Sequence, residues 1–402
     1  DVGVKSLVTP IQACGLTNQE EVKVLVRNYG GAAVNTPFDV GYSLNDGVSY
    51  IREEFNMLIN SEADEVGNYE IEFTFATKAD FSTPGLKKLK FKTFLEGDQD
   101  NSNNEYSKSL YVFPTVVYPY QTSFETSNSH WYPSGINSSW QWGTPNGTFI
   151  NHASNGSRVW ATGLSQNYKN EEFSYLESPC FDLSTAEYPV FAFDYIMQID
   201  EGEDGMMIEY SIDGGLTWST LPEDENYASN WYDTETVTSL GASGWSLNTT
   251  DYVTAKTLLP SNTIGVNGVK FRFVFASDVL DAYEGVAIDL IKVYELPYDL
   301  GISLLVSPTD DCEIGNNVNL ELQIENLGYR PLPTSSEIPI GVKLNNGTLK
   351  TETATYTGGS PLAQSSTFNH ITTNTFNIYN AGVYNVTAYT NLAIEDNRLN
   401  DT

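Results

Sequence analysis

Residues 208–218 read Ile-Glu-Tyr-Ser-Ile-Asp-Gly-Gly-Leu-Thr-Trp, and this stretch indicates the class of fold. Its first half alternates between apolar and polar side chains, which is the period of a β-strand with one buried face. The Asp-Gly-Gly at 213–215 tolerates positive φ angles and therefore favours a tight turn. The stretch predicts a β-hairpin in which Leu-Thr-Trp starts the returning strand.

The spacing Ser-x-Asp-x-Gly-x-Thr-Trp, from Ser211 to Trp218, resembles the Asp-box, a hairpin motif of sialidases and of many other secreted β proteins. The resemblance implies that Ser211 and Asp213 hydrogen-bond the turn and that Trp218 packs beneath it. Sialidases usually carry several boxes and an arginine cluster, whereas this sequence shows one box and no such cluster. We therefore interpret the hairpin as structural.

The composition is typical of an all-β protein. Aromatic residues make up 13% of the 402 residues, Thr, Val, Asn and Gly are plentiful, and capped helical patterns are hard to find. Acidic residues outnumber basic ones by 52 to 20, for a formal net charge of −32, which argues against a nucleic-acid partner. Such a surface favours either general solubility or binding of Ca²⁺, which takes carboxylate oxygens as ligands.

The three cysteines, Cys14, Cys180 and Cys312, lie far apart in the sequence. Their spacing fits no zinc site, and an odd number does not allow a complete disulfide framework, so we expect buried free thiols. There is no apolar run of membrane-spanning length, no signal peptide and no initiator Met. We expect the sequence to be a mature fragment of something longer.

Two stretches repeat one pattern, starting with Asp-Val-Gly-Val at residue 1 and with Asp-Leu-Gly-Ile at residue 299. Each continues to an alternating strand that ends in Asn-x-Gly, at Asn28 and at Asn326, and later to an Asp/Asn-rich loop. Short strands separated by turn signals are typical of an immunoglobulin-like sandwich. The pattern resembles the CARDB-type adhesion modules of bacterial surface proteins.

Three domains follow from this organisation: an immunoglobulin-like sandwich over 1–116, a jelly roll over 117–297, and a second immunoglobulin-like sandwich over 298–402. The second copy stops before a counterpart of the strand at 106–112. We therefore predict that the third domain lacks its last strand, or that another chain supplies it.

The middle segment contains all seven tryptophans and three phrases that form a set. These are Phe-Glu at 124–125, Tyr-Leu-x-Ser-Pro-x-x-Asp-Leu-Ser at 175–184, and Gly-Val-x-Ile-Asp-x-Ile at 285–291. The set resembles the MAM-like or cleaved-adhesin jelly roll, which implies two antiparallel sheets packed face to face. That family occurs in surface adhesins and as accessory domains of secreted peptidases, and the whole arrangement resembles part of a gliding-motility adhesin.

The resemblance also implies a structural Ca²⁺ between the first and the closing strand, with Glu125 and Asp289 at the matching positions. Asn155, in the loop at 151–156, is expected to add an oxygen ligand. Leu290 stands where the family often has a second acid. Such an ion would couple folding to metal binding, whereas the alternative is that the two acids cap strand ends.

Jelly rolls host many carbohydrate-binding modules, which stack sugar rings on exposed aromatic side chains. Four tryptophans in loop-like, Asn-rich surroundings are candidates for such a platform, or for contact with a protein partner: Trp131, Trp140, Trp142 and Trp231. The alternative is that these rings belong to the core, because Trp is buried more often than not.

The sequence has three histidines in two domains and lacks the zinc-protease, nucleophile-elbow and phosphate-loop motifs. We therefore expect a non-enzymatic adhesin segment at the extracellular cell surface, which attaches to a surface polysaccharide or a protein and serves gliding motility. One alternative is an accessory region of a secreted peptidase or other hydrolase. Another is a carbohydrate-binding module proper.

Overall fold

The computed structural model describes residues 1–62, 67–309 and 315–392. Over those residues the chain is all-β, with a single short 3₁₀ turn at Ser261–Thr263 and no α-helix. Within the same part of the chain no helix is long and apolar enough to cross a membrane. Contacts divide the chain into two compact units, the first made of residues 1–187, 191–223 and 228–294 and the second of residues 188–190, 224–227 and 295–402. The domain boundaries predicted from the sequence stay a prediction.

The first unit begins with a two-layer sandwich. Its strands are β1 (Val2–Thr9), β2 (Lys23–Asn28), β3 (Phe38–Ser43), β4 (Ile51–Phe55), β5 (Glu70–Thr74), β6 (Gly85–Phe94) and β7 (Glu105–Val112). One sheet has the order β1-β2-β5 and the other the order β4-β3-β6-β7. Val24 and Val26 on β2 are buried and join Val40 and Tyr42 of β3 in one hydrophobic cluster. Alternate side chains of the strands therefore build the core between the sheets.

Asn28, at the end of β2, explains the Asn-x-Gly phrase of the sequence. Its buried amide donates to the carbonyls of Ala32 at 2.9 Å and Ile59 at 3.3 Å. Its side-chain oxygen accepts the N–H of Gly30 at 2.9 Å. A buried amide with these partners is satisfied, and it ties two loops to the end of the strand.

The jelly roll follows in the same unit. Its strands are β8 (Thr115–Val117), β9 (Tyr120–Thr122), β10 (Tyr132–Ile136), β11 (Trp140–Gly143), β12 (Val159–Thr162), β13 (Phe173–Glu177), β14 (Cys180–Asp182), β15 (Pro189–Gln198), β16 (Gly205–Ser211), β17 (Ser219–Thr220), β18 (Thr234–Val237), β19 (Ala242–Gly244), β20 (Val253–Leu258), β21 (Asn267–Ala276) and β22 (Gly285–Glu295). A seven-stranded sheet has the path β10-β13-β21-β14-β8, with β16 and β17 beside β21. A six-stranded sheet has the path β11-β12-β22-β15-β20, with β9 beside β22.

Aromatic rings from both sheets fill the space between them. Phe191 of β15 lies 4.6 Å from Phe271 of β21, and Phe193 lies 4.9 Å from Phe273, measured between ring centres. All four rings are fully buried. Large rings in one cluster hold the two sheets together face to face, as the resemblance to a jelly roll implied.

The hairpin after β16 makes the hydrogen bonds of an Asp-box, as predicted. Asp213 accepts the N–H groups of Leu216 at 3.0 Å and Thr217 at 2.9 Å. Gly215 donates its N–H to the hydroxyl of Ser211 at 2.8 Å, and the Trp218 indole donates to the carbonyl of Gly215 at 3.1 Å. The motif thus closes the turn with its own side chains.

Cys14 and Cys180 form a disulfide bond, so the expectation of free thiols is wrong for these two residues. The two positions are 166 residues apart, and the bond joins the first sandwich to β14 of the jelly roll. A spacing argument looks for neighbours in sequence and therefore misses a pairing created by the contact of two domains. Cys312 lies outside the described residues.

Noncovalent contacts join the same two parts of the first unit. The N–H of Cys14 donates to the carbonyl of Gly214, at the tip of the Asp-box, at 3.2 Å. Buried Lys270 lies 2.8 Å from the carboxylate of Glu177 and 3.4 Å from the centre of the Phe113 ring. Burial lowers the pKa of Lys270, while Glu177 acts in the opposite direction. We call this set of contacts, with the disulfide, the clasp.

The second unit contains a sandwich with a related strand order. Its strands are β23 (Leu300–Ser307), β24 (Gly315–Asn326), β25 (Glu337–Leu344), β26 (Lys350–Thr355), β27 (Thr367–Ile378) and β28 (Val386–Thr390). The sheets run β23-β24-β27 and β26-β25-β28. Asn326 repeats the contacts of Asn28, donating to the carbonyls of Arg330 at 3.0 Å and Leu362 at 2.9 Å.

Up to residue 392, the second of these sheets has no counterpart of β7. Residues 393–402 lie outside the described residues. The absence of a last strand from the third domain therefore stays a prediction.

Candidate binding face of the jelly roll

Three of the four tryptophans predicted to stack sugars lie in the core. Trp131, Trp140 and Trp231 are 0%, 5% and 5% exposed. Trp231 packs against Trp245, with ring centres 5.0 Å apart. The prediction of a platform on these three rings is wrong, because the wide space between two sheets takes the largest side chains.

Trp142, the fourth candidate, is half-buried. Its indole N–H donates to the carbonyl of Phe124 at 3.0 Å. The guanidinium of Arg158 lies 4.9 Å from the centre of its ring. One end of the ring is thus fixed by the backbone and one face is near a cation, which leaves little of it for a ligand.

The outer face of the six-stranded sheet instead carries an open cleft of ≈ 610 Å³. On β22, Leu290, Lys292 and Tyr294 reach this cleft, while Ile291 and Val293 between them are fully buried in the core. Strand alternation therefore presents every second residue to the cleft. The complete lining is Pro119, Tyr120, Gln121, Ala192, Phe193, Asp194, Thr254, Lys256, Leu290, Lys292 and Tyr294.

Another part of the same face is covered. Ile150, from the loop before β12, packs in a small hydrophobic cluster with Val159 and Ala161 of β12, Ile196 of β15 and Ala287 of β22. The cleft begins further along the strands, where Ala192 and Asp194 replace Ile196 on β15. The loop thus covers the apolar region and leaves a mixed polar and aromatic surface open.

The predicted acidic residues meet around the loop at 151–158. Glu125 accepts the N–H groups of Ser157 at 2.9 Å and Arg158 at 2.8 Å, and these bonds lower the pKa of its carboxyl group. Asp289 accepts the N–H of Asn155 at 2.7 Å. Asn155 therefore contributes its backbone to this contact, and the two carboxylates anchor one loop.

Asp289 is a fully buried carboxylate. Burial raises its pKa to about 6, the charges of Asp194 and Glu125 add to the increase, and the N–H groups of Asn155 and Leu290 oppose it. Burial and two neighbouring acids destabilise the ionised form of Asp289, so a nearby positive charge or a bound proton would stabilise this group.

The backbone is unusual on both sides of this group. Ile288 of β22 pairs with Trp160 of β12, but Ile291 pairs with Thr122 of β9, so the strand changes partner across Asp289 and Leu290. Leu290 has a φ of 46° and Phe124, beside Glu125, has a φ of 58°. Positive φ in bulky residues is strained, and such strain is often found at functional sites.

Asp194 is a site residue that the sequence analysis missed. It accepts hydrogen bonds from the hydroxyls of Thr254, at 2.6 Å, and Ser154. It lies between the acidic group and the cleft, which it lines. A carboxylate within the otherwise apolar run Val-Phe-Ala-Phe-Asp-Tyr at 190–195 was the signal available in the sequence.

Among the described residues, no group of three acidic, His or Cys side chains is arranged to hold a metal ion. The carboxylate oxygens of Glu125 and Asp289 instead accept hydrogen bonds from backbone N–H groups. The geometry shows a hydrogen-bonded anchor of the loop, and calcium binding by Glu125, Asn155 and Asp289 stays a proposal.

No protein-family model matches the chain, and no curated protein matches it in sequence. Parts of it are similar to solved structures. One is a cleaved adhesin domain of Lys-gingipain from Porphyromonas gingivalis, which is 14% identical to the matched part of this chain. The match covers 44% of this chain and 97% of the gingipain domain, with a TM-score of 0.27.

Two other solved structures cover more of the chain. A structure of carbohydrate-binding modules from the β-sandwich superfamily is 12% identical, with 73% of this chain and 98% of that chain covered and a TM-score of 0.28. The glycoside hydrolase domain of Endo-D from Streptococcus pneumoniae is 10% identical, and the match covers 68% of this chain and 43% of that chain with a TM-score of 0.28. Each likeness is partial.

Proposed function

We propose that this chain is a non-enzymatic binding segment of an extracellular, cell-surface adhesin, and that the cleft of the jelly roll binds a glycan of the surface to which the cell attaches. The observation that carries the proposal is the cleft of ≈ 610 Å³ on the outer face of the six-stranded sheet. Its volume lies within the usual range of ligand sites. We further propose, as a more specific form of this function, that the adhesin serves gliding motility.

The chemistry of the lining supports a saccharide. Tyr294 brings an aromatic ring, and Gln121 and Thr254 bring groups that donate and accept hydrogen bonds. Sugars combine apolar ring faces with hydroxyl groups, so they match a surface that mixes the two. The side chains stand on strands of one sheet, which holds them in place before the ligand arrives.

The test is a glycan array probed with the whole chain, followed by calorimetric titration of the best ligand. Tyr294→Ala is expected to weaken binding about tenfold, equivalent to roughly 1.4 kcal/mol. Phe173→Ala is the matched control, because Phe173 is an exposed ring on the other sheet, in β13. Equal binding by Tyr294→Ala and the unmodified chain would contradict the proposed site.

A structural cation at the acidic group is a second proposal. It is supported by the negative charges of Asp194 and Glu125 near buried Asp289 and by the strained backbone at Phe124 and Leu290. Carboxylate and carbonyl oxygens are the ligands that Ca²⁺ prefers. When bound, the ion would supply the positive charge that buried Asp289 lacks and would fasten the loop to the closing strand.

Thermal unfolding in Ca²⁺ and in excess EDTA tests this second proposal. Calcium at a hundred times its dissociation constant would stabilise the fold by about 2.7 kcal/mol, which corresponds to a Tm increase of roughly 5–10 °C. Asp289→Asn is expected to remove the difference between the two conditions. Asp100→Asn, in an exposed loop of the first sandwich, is the control and should retain it. Identical Tm values for the unmodified chain in Ca²⁺ and EDTA would exclude the ion.

A further inference from the structure

The cleft holds an unusual concentration of positive charge for this chain. Only 20 of the 402 residues are basic, against 52 acidic ones. Six of the basic residues fall within 117–297, and two of these six, Lys256 and Lys292, line the cleft. The others are Arg158, Lys169, Lys270 and Arg272.

Three of the remaining four have partners that explain them. Lys270 pairs with Glu177 at 2.8 Å, and Arg272 pairs with Glu209 at 2.5 Å. Lys169 donates to a backbone carbonyl at 3.3 Å. Lys292, in contrast, makes no ion pair with any residue that the structure describes. Its charge is therefore available to a ligand.

Asp194 offsets only one of the two lysines that line the cleft. It is the single acid in the lining of the cleft, among the described residues, and its two oxygens already accept the hydroxyls of Thr254 and Ser154. Of the 52 acidic residues, all but one of those that the structure describes lie outside the lining of the cleft. At physiological ionic strength exposed charges more than about 8 Å apart are largely screened, so Lys292, which has no ion pair among the described residues, sets the charge preference of the cleft.

Resting on the proposed glycan function, we propose that the cleft selects an acidic saccharide, a sugar that carries a carboxylate such as a uronate. The carboxylate pairs with Lys292, with Lys256 lining the same cleft. The sugar ring lies against Tyr294 and its hydroxyl groups bond Gln121. Charge-assisted hydrogen bonds are about twice as strong as neutral ones, which makes the carboxylate the group that decides selection.

The experiment uses the whole chain and matched pairs of oligosaccharides. Oligomers from pectate, alginate and hyaluronan are each compared with their carboxyl-reduced forms, in which only the charged group has been removed. We expect at least one uronate oligomer to bind at least about tenfold more tightly than its reduced form. Equal binding of the two members of every pair would overturn the proposal.

Variants of Lys292 locate the contact. Lys292→Gln should weaken uronate binding about tenfold and leave binding of the reduced form unchanged, while Lys292→Arg should stay within about threefold. Lys169→Gln, at an exposed lysine of the same segment, is the control. Unchanged uronate binding by Lys292→Gln, with its Tm equal to that of the unmodified chain, would overturn the assignment.

The failure of this inference can be told apart from failure of the proposed function. If neutral glycans bind, lose affinity in Tyr294→Ala, and gain nothing from a carboxylate, the glycan function stands and the acidic preference is wrong. If no oligosaccharide and no glycan on the array binds, both are wrong.

Discussion

Asp213 illustrates how a single side chain fixes a local structure in this protein. Partial burial acts to raise its pKa, but hydrogen bonds from Thr217, Ser211 and Leu216 outweigh burial and hold the pKa at about 2. The ionised form is therefore the one that closes the hairpin. A folded-state pKa below the ordinary value means that the stabilisation is present near neutral pH and is lost as the pH falls from about 4 to about 2.

Asp213→Asn should lower the free energy of unfolding at pH 7 by about 0.5–1 kcal/mol, a small value because the side chain is exposed to solvent. The variant should also lose less stability between pH 4 and pH 2 than the unmodified chain. Urea unfolding at several pH values measures both effects. Glu223→Gln, at an exposed position, should change neither; an equal acid sensitivity of Asp213→Asn would contradict the role of the carboxylate.

Residue-level interpretation from sequence worked where chemistry and spacing are local. The Asp-box bonds were predictable because Ser211, Asp213 and Trp218 act within one turn. The burial of Trp131 was not predictable, because it depends on strands that are distant in sequence. Asp194 was hidden for the same reason, since its partners Thr254 and Ser154 are 60 and 40 residues away.

At the scale of elements, the clasp joins the first sandwich to the jelly roll. It combines the Cys14–Cys180 disulfide with the contact between Phe113 and Lys270, which Glu177 holds in place. Outside the clasp, Tyr111 of the sandwich stacks on Tyr132 of the jelly roll, with ring centres 4.2 Å apart. The Asp-box hairpin takes part in the clasp, because Gly214 accepts the N–H of Cys14. The hairpin that indicates the fold class is thus also a contact between elements.

The clasp predicts that stability depends on the redox state. The disulfide closes a sequence separation of 166 residues, and loss of such a cross-link typically costs about 2–5 kcal/mol. Adding dithiothreitol should therefore lower the urea midpoint of the unmodified chain. The double variant Cys14→Ala, Cys180→Ala should have the lower midpoint from the start and should not respond to dithiothreitol. An unmodified chain whose midpoint ignores the reductant, with both thiols shown to be reduced, would contradict this role.

Individual elements were easier to predict from sequence than their partners. Alternation identified β2 and β16 as strands because the period depends on the strand alone. The change of partner along β22, from β12 to β9, depends on the packed jelly roll and leaves no local signal. The cleft could not be predicted either, because it lies where four separate strands meet.

For the molecule as a whole, composition indicated more about what to exclude than about what is bound. A charge of −32 disfavours phosphate backbones, yet it conceals the two lysines of the cleft. The aromatic content was associated with a ligand platform, whereas most of the tryptophan rings serve the core. The outer face of the six-stranded sheet, with Tyr294 and Lys292 on β22, replaces them as the candidate site.

A crystal structure of the whole chain with the best glycan from the array would show directly where the ligand binds. We expect a saccharide on the outer face of the six-stranded sheet, in contact with Tyr294, Gln121 and Lys292, at full occupancy under saturating ligand. A saccharide bound at any other surface, with this cleft empty, would contradict it.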